Sequence, residues 1–467
     1  MGFFPGRTAT AELWRQKELR THALAAVALV ALAALAAGAR AENWPQWRGP
    51  FLNGSTTETG LPTTFSETEN VVWTTPLPGP SGATPIVWAC PEQGRGGDRI
   101  FLPSVDASTS DLLALCVDAK TGKVLWRKKT GKDRVNPRNN MASPSAVTDG
   151  RTVWFYYGTA GLFAFDFEGK ELWSRDLEKD HGHNALMFGY SSSPLLYKGR
   201  LYIVAIRNKR QNAYGGAPPS NAVSESYLLA IDPATGKDLW RHDRPTDAVG
   251  EAQESYSTAI PREVEGRAEI LVYGADYLTA HDPETGKELW RWGGYNPTKI
   301  NHWRTVPSPV VAGDLVIVVG PKFSTMFAIR PKDQGTLGDE AVAWRFQRKT
   351  PDASTPLVYK GRLYFLDDDR RIITCLDPAT GEQKWQGELP GRAVIRASIT
   401  GADDKLYIIS ELREVSVLAA GDEFKLLHTT KLAATGRAFT RSSIVAAGGR
   451  LYVRTGENLY CFGAPRR

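Results

Sequence analysis

Asp232-Pro233-Ala234-Thr235-Gly236-Lys237-Asp238-Leu239-Trp240 returns almost letter for letter as Asp282-Pro283-Glu284-Thr285-Gly286-Lys287-Glu288-Leu289-Trp290. Further copies run from Asp118 to Trp126, from Asp166 to Trp173 and from Asp377 to Trp385. Trp344 ends a copy whose turn is lengthened over 333–340, and 421–427 is a worn copy with Leu427 near the Trp position. An apolar segment alternating with period two leads into each Asp, which predicts a strand. The Asp-x-x-Thr-Gly element predicts a tight turn. Asp bonds backbone N–H groups two residues on, Pro presets φ, and Gly supplies a positive φ. The Trp then sits in a second strand.

A Ser/Thr-Pro pair followed by an apolar stretch, a Gly turn and Leu-Tyr alternates with this pattern, as in Ser193–Tyr202 and Thr355–Tyr364. Eight such starts occur, near Pro85, Pro144, Pro194, Thr258, Pro309, Pro356, Ile399 and Ile444. Each unit reads as four strands, A to D, with the Ser/Thr-Pro pair opening A and the Trp in D. Four-strand units repeated every ~40–65 residues mean propeller blades. The expected fold is all-β: an eight-bladed β-propeller of four-stranded antiparallel blades. Blade 8 lacks a D strand at the C-terminus, and Val71-Val72-Trp73 is an orphan D strand that would close the ring and remove two open sheet edges. Trp73, Trp126, Trp173, Trp240, Trp290, Trp344 and Trp385 are expected to dock between blades, each burying on the order of 150–250 Å².

The Asp-x-x-Thr-Gly-x-x-x-Trp repeats over about 70–463 resemble those of the pyrroloquinoline-quinone (PQQ) repeat propellers. Two branches of that family imply different functions. The quinoprotein alcohol dehydrogenases are enzymes; the BamB-like outer-membrane assembly factors are not. The opening Trp44-Pro45-Gln46-Trp47-Arg48-Gly49-Pro50 is also similar to the leader of secreted, uncharacterised PQQ-like propellers. The dehydrogenases carry a vicinal Cys-Cys disulfide beside the cofactor, and here no two Cys are adjacent. No segment matches their calcium-ligand or catalytic-Asp motifs, so no catalytic residue is carried over. BamB-like factors are lipoproteins with Cys at the mature N-terminus, whereas the first Cys here is Cys90.

The 467 residues include 14 Trp, 16 Tyr and 17 Phe, ample for a core, so a disordered chain is excluded. Four Cys exclude a disulfide-built scaffold. Cys116, Cys375 and Cys461 share a repeat position that is Ala elsewhere, which predicts buried free thiols in separate blades. Arg15, Lys17 and Arg20 precede an apolar run at 23–37, and Ala39-Arg40-Ala41 follows. That is the pattern of a cleaved export signal, 1–41, and the run is shorter than the ~20 residues of a membrane span. A leader at 42–69 and the propeller at 70–467 would then form the exported, periplasmic or secreted protein. The formal net charge is +6, but residues 1–41 hold five basic and two acidic groups, which leaves +3 on the rest. A nucleic-acid footprint is not supported.

The D–A loops of a propeller share one face with the B–C loops, and the candidate ligand-binding residues lie there. Arg392 and Arg396 align with Arg437 and Arg441 at the last two blade starts, Arg304 lies near the equivalent place in blade 5, and Arg138-Asn139-Asn140 leads into blade 2. This set predicts an anion-binding funnel, set against ion pairing with Glu254 and Asp352. His181, His183 and Tyr190 in one loop and His302 in another complete the face. Three His are weak evidence for a metal, so none is assigned. The B–C insertion 207–224 is a candidate lid or docking loop. These readings favour an exported non-catalytic monomer that binds an unidentified protein or small anionic ligand, with no membrane span and no predicted cofactor. The alternative is a PQQ- and calcium-dependent dehydrogenase of alcohols or sugars. The scarcity of acids at the visible blade starts weighs against it.

Overall fold

The repeated turn works as its residues dictate. Asp232 Oδ1 accepts the amides of Ala234 (2.8 Å) and Thr235 (3.0 Å), and Asp282 Oδ1 accepts those of Glu284 (2.9 Å) and Thr285 (2.8 Å). Gly236 and Gly286 follow at φ +72° and +75°, the left-handed conformation that closes the turn. In this computed structural model, residues 42–89, 98–134, 136, 138–208, 225–332, 334–433, 436 and 438–463 are described, with Met1. Residues 2–41, with the expected export signal, fall outside that set, as does most of the 207–224 insertion. Glu42–Arg467 is one compact unit.

The strands assemble into eight sheets with antiparallel A-B-C-D order, taken in chain order in blades 1 to 7. Blade 1 joins Ile86–Trp88, Arg99–Val105, Asp111–Asp118 and Val124–Lys132. Blade 8 joins Val445–Ala447, Arg450–Arg454 and Asn458–Phe462 to the N-terminal Val71–Pro76, which closes the ring with Trp73 opposite Cys461.

Register explains the repeat. Each docking Trp stands directly across from the small residue of strand C: Cys116 faces Trp126, Ala164 Trp173, Ala230 Trp240, Ala280 Trp290, Ala328 Trp344 and Cys375 Trp385. A large side chain there would push the indole off the sheet, so Ala and Cys interchange freely. The three thiols are buried and free, and burial pushes Cys116 and Cys375 up to about 12 and Cys461 up to about 11. In the worn blade 7, Val417 faces His428, while Leu427 falls at the bulge. Leu427 thus lies near the Trp position as expected, and His428 occupies it.

Six of the seven indoles dock under the C–D turn of the next blade. Trp73 Nε1 donates to Ala119 O (3.1 Å), Trp126 to Phe167 O (2.9 Å), Trp173 to Pro233 O (3.0 Å), Trp240 to Pro283 O (3.2 Å), Trp344 to Pro378 O (3.0 Å) and Trp385 to Gly421 O (2.8 Å). Trp290 differs: its Nε1 faces Glu269 Oε2 at 3.3 Å. The cause is the lengthened turn of blade 5. Its Gly335–Leu337 folds back as a parallel fifth strand on Glu288–Trp292 of blade 4, with Gly335 opposite Trp290.

The leader crosses the channel. The inner edges of A strands face the axis with unpaired backbone groups, which must find partners. Trp44 pairs with Val87 in both directions at 2.8 Å, and Pro45 O accepts the Thr148 amide. The Gln46 side chain bonds both the N–H and the C=O of Leu196. Arg48, 3% exposed, donates to the carbonyls of Pro356, Ile399 and Asn53, and Thr56 N–H reaches Gly401 O. These contacts tie blades 1, 2 and 3 to blades 6 and 7 across the axis and plug the A–B end of the channel. Burial holds the Arg48 guanidinium down at about 9.

Candidate functional site

At the other end, the Ser/Thr of each blade start does a second job. Thr84 N–H donates to Ser145 Oγ, Ser145 N–H to Ser193 Oγ, Ser193 N–H to Thr258 Oγ1, and Thr258 N–H to Ser308 Oγ. The chain continues from Ser308 to Thr355, Ser398 and Ser443, and Ser443 N–H returns to Thr84 Oγ1 at 3.2 Å. Eight hydroxyls thus form a closed ring around the axis, each accepting the amide of the preceding blade. A buried N–H is costly to leave unpaired, which gives the Ser/Thr of the repeat its physical reason.

Above this ring runs a belt of alternating charge. Arg304 Nη2 lies 3.0 Å from Asp352 Oδ2, and its Nε 3.4 Å from Glu251 Oε1. Arg396 Nη1 faces Asp352 at 3.8 Å and Asp368 at 3.6 Å, and its Nη2 faces Asp369 at 3.0 Å. Arg441 Nε donates to Glu411 Oε1 at 2.8 Å, and its Nη1 reaches the Arg138 carbonyl. Arg304 donates to Asp352 and Arg396 to Asp369 through Nη2, but Arg304 Nε and Arg396 Nη1 are buried without a hydrogen-bond partner, so the contacts of these two atoms are charge contacts only. Asp368 is fully buried and accepts Ser354 Oγ and the amides of Asp352, Ala353 and Ser354; burial nevertheless raises it to about 6.

Glu254 pairs with none of these arginines. It is 1% exposed and accepts the Met187 amide (2.8 Å), the Tyr256 hydroxyl (2.8 Å) and Asn208 Nδ2 (3.3 Å), and burial pushes it up to about 7. Asn139 Oδ1 accepts from Ser143 Oγ within its own loop, whereas Asn140 Nδ2 donates to Pro80 O in the segment leading into blade 1. Arg392 is exposed, with its backbone N–H on Glu414, and Arg437 lies outside the described residues. Tyr190 is core: its hydroxyl donates to Val204 O.

The histidines do not converge. His181 Nε2 lies 3.1 Å from Asp238, His183 Nδ1 3.0 Å from Glu178, and His302 is exposed beside Asn301. Buried Arg207 sets the His181–His183 loop by donating to its three carbonyls. Among the described residues, no group of three or more His, Cys, Asp or Glu is arranged to hold a metal.

The family described as "Outer membrane protein assembly factor BamB" matches residues 10–218, 108–337, 224–396 and 276–465. The chain belongs to this PQQ-repeat family. The propeller is 34% identical over 109 residues to a 1-butanol dehydrogenase (quinone) of Thauera butanivorans, a match covering 21% of this chain and 16% of that relative. Its fold is similar to the quinohemoprotein alcohol dehydrogenase of Comamonas testosteroni, with TM-score 0.63 and 12% identity over 92% of this chain and 82% of that one. It is also similar to BamB of Moraxella catarrhalis, with TM-score 0.50 and 13% identity over 78% of this chain and 95% of that one. At such identities the structures show the fold alone.

These matches correct the reading that leaned against an enzyme. The curated relative, matched over 21% of this chain, is a 1-butanol dehydrogenase (quinone), not a binding module. The scarcity of acids that weighed against catalysis is corrected too. Asp368, Asp369 and Glu411 come from B–C loops, so inspection of blade starts alone missed them. Asp368 and Asp369 end a run of three Asp and Glu411 stands between Ser410 and Leu412, but nothing repeated marks them. Among the described residues, no helix is long and apolar enough to cross a membrane.

Proposed function

We propose that this propeller is an exported oxidoreductase that uses an anionic quinone of the PQQ class to oxidise a small alcohol or sugar. One observation carries the reading. Arg304 Nε and Arg396 Nη1 are buried donors without a hydrogen-bond partner, in a belt that includes Arg441 above the hydroxyl ring. Glu251, Asp352 and Asp368 face these two donors at 3.4–3.8 Å without hydrogen-bonding them, and the carboxylates of a tricarboxylate quinone would supply acceptors at hydrogen-bond distance, so these residues fit it. Arg304, Arg396 and Arg441 would hold its carboxylates. Bound there, it supplies a two-electron acceptor for oxidation of the substrate carbon. Asp368, fully buried and held by Ser354 and three backbone amides, faces Arg396 and positions its guanidinium. Asp352 orients Arg396 and Arg304 together. The leader plug keeps bulk water from the A–B end. No ligands are assigned to a calcium ion, since no carboxylate cluster among the described residues would hold one.

In this reading 1–41 is the export signal, 42–69 the leader and 70–467 the propeller. The test is dye reduction by protein beginning at Glu42, supplied with PQQ, with and without calcium, on primary alcohols and aldoses. Turnover is expected, and Arg396→Ala should lower kcat/KM at least tenfold. Absence of turnover on every substrate, with quinone shown to be bound, contradicts an oxidoreductase.

A further inference from the structure

We propose that the ammonium created at Glu42 when the export signal is removed pairs with Glu58 and locks the leader onto blade 8. The inference rests on the export reading, and extends it to what the new N-terminus does. The compact unit begins at Glu42. The Glu42 backbone N–H donates to Glu58 Oε1, and the same carboxylate accepts Gly448 N–H at 2.8 Å and Gly449 N–H at 2.7 Å. Glu58 is 6% exposed, and among the described residues no basic side chain pairs with it. A carboxylate so nearly buried wants a cation. The Glu42 side chain, in turn, accepts Thr56 Oγ1 and the Thr57 amide, which holds the Glu42 nitrogen at that place.

Ala39-Arg40-Ala41 puts small residues at the two positions a signal peptidase reads before Glu42. Hydrolysis breaks the Ala41 C–Glu42 N bond: water gives its hydroxyl to the Ala41 carbonyl carbon and a proton to the nitrogen. The nitrogen takes a second proton from solvent and becomes an ammonium. One neutral donor is thereby replaced by a charged group with three, against an unpaired carboxylate. Glu58 then bridges the new terminus to the A–B turn of blade 8, a few residues before Leu61, whose amide is held by Asp403 of blade 7. Cleavage thus completes the plug only after export.

The test has two independent readings. Intact mass of the protein exported from a bacterial host is expected to show Glu42 as first residue; a different terminus overturns the site. If the protein stays in the cytoplasm uncut, the export reading fails with it. Separately, protein released from a fusion directly before Glu42 is compared with protein retaining Ala41, by hydrogen exchange over 442–450. Exchange is expected to be about tenfold slower with the Glu42 terminus. Acetylation of the Glu42 amine, or Glu58→Gln, should each abolish the difference. Equal exchange in all four proteins overturns the lock while leaving export standing.

Discussion

Glu254 shows what burial does to one side chain. The folded protein keeps its proton to about pH 7, whereas the unfolded chain releases it near 4.5. Between those values the folded state holds the extra proton, so stability falls as pH rises from 4.5 through 7. The effect is on the order of 3 kcal/mol. Denaturant titrations are expected to show the protein weaker at pH 8 than at pH 5 by more than in Glu254→Gln, which keeps the shape but not the charge. Parallel pH dependence in the two proteins contradicts the assignment. At this scale the tryptophans were legible in sequence because each recurs seven-fold in one pattern. Asp368 and Glu411 were not, because acids in B–C loops recur at no fixed place in the repeat. The pairing of Arg396 with Asp368 depends on two loops meeting in space, which spacing does not encode.

At the scale of the element, the C–D turn carries the fold. A Cβ on Gly286 would stand 2.4 Å from the Trp240 ring, while one on Gly266, also at positive φ, meets nothing within 4 Å. Gly266→Ala therefore carries only the strain of a Cβ at positive φ, about 1 kcal/mol. Gly286→Ala adds overpacking at a blade interface, for a total of about 3 kcal/mol. Urea midpoints of the two variants test the difference, and equal losses would remove the docking role of the indole. The turn and its Trp were readable because local chemistry dictates both. The lengthened turn of blade 5 was visible as an insertion, yet its pairing as a fifth strand on blade 4 was not. That pairing is set by the free outer edge of Glu288–Trp292, a neighbour's property.

The whole molecule is a ring tied at two levels: eight hydroxyls near the D–A end, and the leader across the A–B end. Blade number and closure by Val71–Pro76 followed from counting strands. The leader's role did not, since most of its partners are backbone atoms of distant blades and carry no sequence signature. Arg48→Met keeps the bulk but removes donors from the Pro356, Ile399 and Asn53 carbonyls. A loss of ~2–4 kcal/mol is expected in chemical denaturation, with faster exchange in the A strands of blades 6 and 7. Unchanged stability would mean the plug is dispensable. The central claim is that the arginine belt above the hydroxyl ring holds an anionic quinone. Titration of PQQ into protein beginning at Glu42, followed by quinone absorbance and calorimetry, tests it directly. The account predicts one quinone per chain, with binding at least a hundredfold weaker in the combined Arg304→Ala, Arg396→Ala, Arg441→Ala protein. Absence of binding, or equal binding by both proteins, would contradict it.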